Sequence, residues 1–147
     1  MKIRKFTEAD HQDLYETISD PAVMEYIEPP YTEEKTRTFL RSAALGDAPK
    51  IYAAENNAGE YVGYVIYHEY DPGSVEIGWL LKKSAWGRGY ARELTKMMID
   101  KAFRDGKDVV IECDPGQAVT KHIAESFGFA NEGMTDGCCV YRLKRQE

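Results

Sequence analysis

The 147-residue chain is predicted to form one mixed α/β domain over residues 1–147, and three observations support this fold class. Apolar residues near both ends of the chain recur at the spacing of amphipathic helices. Between residues 51 and 81 they alternate instead, as they do in half-buried strands. A loop with two glycines then separates a strand from a helix. Hydrophobic residues make up 43% of the chain, which is enough for a packed core.

Residues 1–50 predict a short strand followed by three helices. The strand is Lys2–Phe6. Each helix begins at a side chain that can accept a hydrogen bond from the first turn, and these side chains are Thr7, Asp20 and Thr32. Pro21 suits the first turn of the second helix, which should end at Pro29-Pro30. The apolar residues expected on the buried helix faces are Leu14, Ile18, Met24, Ile27, Phe39, Leu40 and Ala43.

Residues 51–81 predict three strands, which are Ile51–Glu55, Tyr61–Tyr67 and Val75–Leu81. The segment Asn56–Gly59 is short and rich in turn-forming residues, so the first two strands should form an antiparallel hairpin. A second turn, Asp71-Pro72-Gly73, leads into the third strand.

The remainder of the chain predicts two helices and three strands. The first helix should end at Asp105-Gly106, by the usual preference for glycine after a helix. Val109–Ile111 is short and continuously apolar, as is typical of a parallel strand buried on both faces. The second helix ends at Gly128, and the last two strands start at Phe129 and cover Cys138–Leu143. The apolar residues of the two helices are Ala91, Leu94, Met98 and Ala102, and then Val119, Ile123 and Phe127.

Composition and charge disfavour several classes of function. A net charge of −6 argues against nucleic acid as a partner and is compatible with a cationic substrate. No apolar run approaches the roughly 18 residues of a membrane-spanning helix, so no membrane partner is expected. The basic start Met1–Phe6 is followed by acids rather than an apolar signal segment, which predicts a cytoplasmic protein. Three cysteines, Cys113, Cys138 and Cys139, lack metal-ligand spacing and are expected to be reduced thiols without a metal.

The segment Trp86-Gly87-Arg88-Gly89-Tyr90-Ala91 has the composition of an anion site at the start of a helix. The first N–H groups of a helix have no intrahelical acceptor, and the helix dipole places partial positive charge there. Gly87 and Gly89 lack the Cβ atoms that would keep a diphosphate away from these donors. Arg88 either adds a charge-assisted contact or points into solvent. Two glycines also suit an ordinary tight turn, so the flanking sequence has to decide.

Two other phosphate-binding motifs are absent from the sequence. There is no Gly-Lys-Ser/Thr, which disfavours a nucleotide P-loop. There is also no third glycine followed about twenty residues later by an acid at a strand end, which disfavours a dinucleotide fold. A nucleotide-binding domain is therefore not expected.

With these motifs excluded, the segment resembles the acyl-CoA motif of the GNAT superfamily of N-acetyltransferases, Gln/Arg-Gly-x-Gly-x-Gly/Ala. Trp86 replaces the leading Gln or Arg, as is typical of the branch that includes the ribosomal-protein N-terminal acetyltransferases. The similarity extends over nearly the whole chain. The other segments that match this branch are Arg4–Asp10, Asp20-Pro21 with Met24, Ile77–Leu81 and Glu125–Phe129.

The resemblance implies a central, mostly antiparallel sheet of about six or seven strands, with a parallel, splayed fourth and fifth strand and helices on both faces. It implies acetyl-CoA as co-substrate, no metal, the pyrophosphate at residues 86–91 and the pantetheine arm between the splayed strands. Leu80 and Leu81 would offer backbone hydrogen bonds to that arm, and a main-chain N–H near Leu80 would polarise the thioester carbonyl. Gln117 and Thr120 stand where the family has further CoA-binding side chains. The cofactor-binding residues are thus Leu80, Leu81, Trp86, Gly87, Arg88, Gly89, Tyr90, Ala91, Gln117 and Thr120.

Glu76 is the candidate general base because it matches the position of the family's glutamate base within an otherwise apolar strand. Burial would raise its pKa and make it a better proton acceptor. The alternative role is an ion-pair partner or a water-facing edge carboxylate. Ala124 occupies the position where many members of the family have a tyrosine that protonates the leaving thiolate. Water, Ser126 or Thr120 could donate this proton instead, or the thiolate could leave without an acid. His11, His68 and His122 lack metal-ligand spacing and are expected to be surface residues, although His68, at the end of the hairpin strand, could face the acceptor site.

The predicted function is transfer of the acetyl group of acetyl-CoA to a primary amine, by direct attack on the thioester. The amine belongs to a protein N-terminus or to a small molecule, and the residues do not say which. The alternative is a non-catalytic domain that binds or senses acyl-CoA, which Ala124 and the open role of Glu76 allow. Both a monomer and a homodimer are compatible with the sequence.

Overall fold

In the computed structural model, which describes residues 1–146, the chain forms seven strands and four α-helices. The strands are β1 (Lys2–Arg4), β2 (Ile51–Glu55), β3 (Tyr61–Asp71), β4 (Ser74–Leu81), β5 (Asp108–Cys113), β6 (Ala130–Thr135) and β7 (Cys138–Leu143). The helices are α1 (His11–Ile18), α2 (Glu33–Phe39), α3 (Tyr90–Arg104) and α4 (Ala118–Ser126). None of the helices in the described part of the chain combines the length and apolar character needed to cross a bilayer.

All seven strands belong to one sheet with the order β1-β2-β3-β4-β5-β7-β6. Every neighbouring pair is antiparallel except β4 and β5, which run parallel. The β4–β5 ladder covers only Ser74–Glu76 against Asp108–Val110, and the residues of β4 after Glu76 have no paired residue on β5. The predicted mixed α/β fold with a splayed parallel pair is therefore confirmed. The region between β4 and β5 beyond Glu76 is called the gap below.

Helices cover both faces of the sheet because successive strand residues point to opposite sides. One buried cluster joins α1 and α2 to strand residues such as Ala53, Tyr64 and Leu80. The other cluster joins α3 and α4 to Ala54, Val65 and Leu81, which directly follow those three strand residues in the chain. The two faces are referred to below as the α1/α2 face and the α3/α4 face.

The predicted second helix, from Asp20 to the Pro29-Pro30 pair, was wrong: residues 21–27 form a series of turns. Two isolated helix-like bonds, from Met24 N–H to the Asp20 carbonyl and from Ile27 N–H to the Met24 carbonyl, are not propagated. A helical segment this short cannot offset its nucleation cost, and packing decides its conformation instead. Here the ring of Tyr26 packs on Gly116, where a Cβ atom would lie 2.6 Å from Tyr26 Cε1.

The other predicted elements are present with shifted ends. Strand β1 stops at Arg4 rather than Phe6, and β3 extends to Asp71 rather than Tyr67. The predicted cap of α2 is confirmed, since the Thr32 hydroxyl accepts a 3.1 Å hydrogen bond from the Lys35 N–H. After Phe39 the chain continues into a wider π-helical turn, Leu40–Ala44, which extends the apolar face of α2 over the sheet.

Candidate active site

A cleft of about 590 Å³ opens beside the carboxyl end of β4. It is bounded by the end of β4, the loop that leads into α3, the start of α4 and the turns that follow α1. The lining residues used below are Tyr26, Leu80, Leu81, Trp86, Gly87, Gly89, Arg92, Gln117 and Thr120. We call this cleft the donor cleft. All of the predicted CoA-binding residues line it except Arg88, whose side chain is exposed to solvent.

The glycine loop leaves open space in front of the start of α3. Gly87 and Gly89 have φ angles of +75° and +81°, a region that favours glycine, and no atom lies within 4 Å of where their Cβ atoms would be. The first intrahelical bond runs from Glu93 N–H to the Gly89 carbonyl, so the N–H groups of the preceding helical residues have no intrahelical acceptor. The loop therefore presents free backbone donors and the positive end of a helix dipole to an anion.

Trp86 fastens this loop to β4. Its indole Nε1 donates a 3.0 Å hydrogen bond to the Leu81 carbonyl, while the residue as a whole is 47% exposed. The bond orients the loop relative to the strand that borders the gap.

Four large hydrophobic residues are exposed around the donor cleft, namely Tyr26, Ile27, Trp86 and Val119. Among the described residues 1–146, Met134 on β6 is the remaining large hydrophobic residue with comparable exposure. Apolar surface concentrated around a cleft is typical of a site that a ligand covers. The donor cleft therefore has the surface of a binding site for a partly apolar ligand.

The ladder between β3 and β4 determines which backbone groups of β4 face the gap. Lys82 N–H donates to the Val62 carbonyl at 2.9 Å, and antiparallel pairs alternate between bonded and non-bonded. The alternation places Leu80, opposite Tyr64, in a bonded pair, so its N–H points toward β3. Leu81 lies in a non-bonded pair, and its N–H and carbonyl face the gap. Leu80 instead contributes its side chain to the wall of the cleft.

The start of α4 supplies the two predicted side chains Gln117 and Thr120, which both line the donor cleft. The Gln117 Oε1 accepts a 2.8 Å hydrogen bond from the Asp114 N–H, which leaves the Gln117 NH₂ group free to donate to a ligand. Ala124 is fully buried in the core. The Ser126 hydroxyl donates to the Ile123 carbonyl at 2.8 Å, so Thr120 is the hydroxyl of this helix that lines the cleft.

Glu76 lies where the β4–β5 ladder ends, on the α1/α2 face of the sheet. Its side chain is 21% exposed, and its Oε1 is 3.8 Å from the Nε2 of His68 on β3. Burial raises the pKa of Glu76, while the charge of His68 opposes this rise and that of Glu112 adds to it. Glu76 is thus a partly desolvated carboxylate at the origin of the gap, which suits a proton acceptor better than a solvated surface group.

Two residues that line the donor cleft, Arg92 and Tyr26, carried no predicted role. Arg92 lies in the first turn of α3, with its guanidinium 5.4 Å from the centre of the Phe127 ring. A cation in the first turn opposes the helix dipole, and this local conflict was the signal that could have identified it. Tyr26 has no comparable signal, because its position depends on the long-range contact with Gly116.

Comparison with known proteins identifies the family. The profile of the acetyltransferase (GNAT) domain matches residues 1–130. The chain belongs to the GNAT acetyltransferase family. It is 26% identical over 140 residues to an uncharacterized N-acetyltransferase of Bacillus subtilis, YnaD, covering 92% of this chain and 82% of the relative.

Solved structures of the GNAT family share the fold. A GNAT-family acetyltransferase from Bacillus anthracis superposes with a TM-score of 0.87 at 25% identity, covering 99% of this chain and 95% of that one. A spermidine N-acetyltransferase from Vibrio cholerae, solved with CoA and spermine, superposes with a TM-score of 0.79 at 19% identity. That alignment covers 96% of this chain and 92% of the other. As a GNAT acetyltransferase, the chain is expected to use an acyl-CoA donor.

Proposed function

We propose that this GNAT protein transfers the acetyl group of acetyl-CoA to a primary amine by direct attack of the amine on the thioester. The observation that carries the proposal is the open glycine loop at the start of α3, next to the gap between β4 and β5. Space for a diphosphate and an open strand edge for an amide-containing arm occur side by side. An acyl-CoA molecule has both of these parts.

The donor would be held by backbone groups more than by side chains. The N–H groups at Gly87–Ala91 face the pyrophosphate, with Arg92 as a cationic neighbour. The gap-facing N–H of Leu81 donates to the pantetheine arm, while the Leu81 carbonyl already accepts from the Trp86 indole, and the Gln117 NH₂ donates from the opposite side. A gap-facing N–H of β4 donates to the thioester oxygen and stabilises the negative charge that develops there.

The acceptor amine must lose a proton before it attacks. An α-amino group has a pKa of about 7.7–8.0 and a lysine-type amine about 10.4, so both are largely protonated at neutral pH. Glu76 is the proposed acceptor of this proton, directly or through one water molecule, and such a base contributes roughly 10²–10⁴ in rate. Its raised pKa brings it closer to that of the amine.

The leaving thiolate is not served by a tyrosine in this protein, since Ala124 has no hydroxyl and is buried. A CoA thiolate leaves readily, and Thr120 is the proposed hydroxyl beside its path. The class of acceptor is proposed only as far as a primary amine. Assignment to the ribosomal-protein branch rests on Trp86 and the matching segments, and remains part of this proposal.

The glycine loop can be tested by calorimetry with acetyl-CoA. Gly89→Trp would fill the open space at the start of α3 and should abolish detectable binding. Gly133→Trp is the matched control, because Gly133 also has a positive φ, +93°, and no atom within 4 Å of its Cβ position, but lies on β6. Unchanged affinity in the Gly89→Trp protein would show that the loop does not hold the donor.

A second candidate function is a non-catalytic acyl-CoA sensor, which the buried Ala124 favours because it removes the usual acid. Release of CoA thiol distinguishes the two functions. The parent protein should release thiol with at least one amine among spermidine, an aminoglycoside such as kanamycin and a peptide with a free amino terminus. Binding of acetyl-CoA without thiol release on any of them would favour the sensor.

A further inference from the structure

His68 and Glu76 form a cross-strand pair at the origin of the gap. They are register partners on β3 and β4, and cross-strand partners project from the same face of the sheet. The distance between His68 Nε2 and Glu76 Oε1 is 3.8 Å. Both side chains are partly accessible, His68 at 27% and Glu76 at 21%. Both side chains therefore reach solvent where the β4–β5 ladder ends, and neither of them lines the donor cleft.

The other ring nitrogen of His68, Nδ1, is held by a hydrogen bond to the backbone. Its Nδ1 lies 2.8 Å from the Glu69 carbonyl oxygen, and because a carbonyl oxygen can only accept, Nδ1 must carry a hydrogen. Nε2 therefore presents to Glu76 either a lone pair or a second hydrogen. A lone pair facing an ionised carboxylate is repulsive, whereas one proton between the two groups is attractive. The separation of 3.8 Å is within ion-pair distance but is longer than a hydrogen bond, so no proton is shared at rest. Once Glu76 has taken up a proton, the lone pair on Nε2 of neutral His68 can accept it.

Further ionisable groups surround the pair from two neighbouring strands. Glu112 on β5 accepts a 2.7 Å hydrogen bond from the Tyr70 hydroxyl, and it raises the pKa of Tyr70 to about 12. Cys138 on β7 has a raised pKa, caused first by burial and then by Glu112, Asp114, Cys139 and Glu76.

We propose that His68 is a positioning residue that acts through Glu76, so that the two form one proton-accepting unit for the acetyl transfer. This inference rests on the proposed function and names a further residue for it. Glu76 accepts a proton from the acceptor ammonium, either directly or through water. His68 Nε2 takes up that proton from the carboxylate and passes it to solvent, while Nδ1–H stays on the Glu69 carbonyl.

The protons balance over one turnover. The ammonium loses its first proton to Glu76, and this proton leaves through His68 to solvent. The neutral amine then attacks the thioester carbon, forming the C–N bond as the C–S bond breaks. The second proton leaves the nitrogen for the thiolate sulfur. The products are the acetylated amine, CoA thiol and one released proton.

The pair can be tested without turnover, by ¹⁵N NMR of the histidine rings in the intact protein. The structure predicts that neutral His68 carries its hydrogen on Nδ1, the less common tautomer in water. Glu76→Gln should change the ¹⁵N shift of His68 Nε2 at a fixed neutral pH and leave the ring shifts of the exposed His122 unchanged. A neutral His68 protonated on Nε2, or an Nε2 shift that is the same in Glu76→Gln, would overturn the proposal.

The kinetic test compares pH profiles of kcat/KM for thiol release, using whichever amine the parent accepts. His68→Gln keeps an N–H donor toward Glu76 but cannot relay a proton. We expect a loss of roughly tenfold or more at neutral pH and an acidic limb displaced to higher pH, because the charge that opposes protonation of Glu76 is gone. His122→Gln is the control and should match the parent.

If His68 had a merely structural role, His68→Gln would lower kcat/KM by the same factor at every pH, and the acidic limb of the profile would stay where it is. A pH profile of His68→Gln that has the same shape as that of the parent would therefore overturn the proposal. The proposed acetyl transfer and the role of His68 can be contradicted separately. A parent that binds acetyl-CoA but releases no thiol contradicts the proposed function, and the ring ¹⁵N shifts then still decide whether Nε2 of neutral His68 faces Glu76 with a lone pair. Thiol release that is lost in Glu76→Gln but unchanged in His68→Gln contradicts the pair alone, whereas release that is insensitive to both variants also removes Glu76 as the base.

Discussion

Gly63 on β3 does not line the donor cleft, but its replacement should displace the part of β4 that does. Its φ angle is +150°, and a Cβ atom there would lie 2.1 Å from the Leu80 carbonyl oxygen and 2.7 Å from Leu81 Cα. Gly63 pairs with Leu81 on β4, and the register of β3 with the other adjoining strand, β2, shifts between Ala54 and Glu55. Gly63→Ala would therefore push on the part of β4 that borders the gap.

The magnitude follows from two contributions. An unfavourable backbone conformation costs of order 1–3 kcal/mol, and overpacking against a backbone that cannot give way costs about 1–3 kcal/mol more. A contact of 2.1 Å is far inside the roughly 3.5 Å of ordinary carbon contacts, so the strand has to move. A loss of about 3 kcal/mol in unfolding free energy corresponds to roughly 6–12 °C in Tm for a chain of this size.

The assay is urea unfolding of Gly63→Ala beside Gly59→Ala, together with calorimetry of acetyl-CoA binding. Gly59 has a φ of +79° but no atom within 4 Å of its Cβ position, so its replacement carries the conformational cost alone, about 1 kcal/mol. We expect Gly63→Ala to lose more stability and also acetyl-CoA affinity. Equal losses of stability for the two variants would refute the reasoning.

Two further predictions concern single contacts. Trp86→Phe removes the indole donor to the Leu81 carbonyl, worth about 1 kcal/mol, and should weaken acetyl-CoA binding about fivefold by calorimetry; an unchanged Kd would show that this bond does not orient the loop. The pKa of Asp10 is lowered, first of all by its hydrogen bonds to Arg4. The stability that Asp10 contributes is therefore fully present above its unfolded pKa of about 3.9 and is lost as the pH falls through the lower folded pKa. The difference in unfolding free energy between the parent and Asp10→Asn should be constant from pH 7 to 5 and shrink below pH 4. Urea titrations that give the same difference at pH 7 and pH 3 would contradict this.

The elements predicted well are those whose signal is contained in their own residues. Strand β4 was predicted as Val75–Leu81 and is Ser74–Leu81, because alternation of apolar residues is a local property. The helix after the glycine loop was predicted for the same reason. The turns at residues 21–27 were predicted as a helix because capping and proline signals are also local, whereas the contact of Tyr26 with Gly116 is not.

By itself the sequence determined the fold class, the family resemblance and the location of the glycine loop, since hydrophobic period and glycine placement act within short segments. Only the tertiary structure decided which groups meet. Register directs the Leu81 backbone, and not that of Leu80, toward the gap, and it places His68 opposite Glu76. A shift of one residue would reverse every such assignment, because strand neighbours alternate in direction. Strand pairing is a long-range property, and the chemistry of this site depends on it.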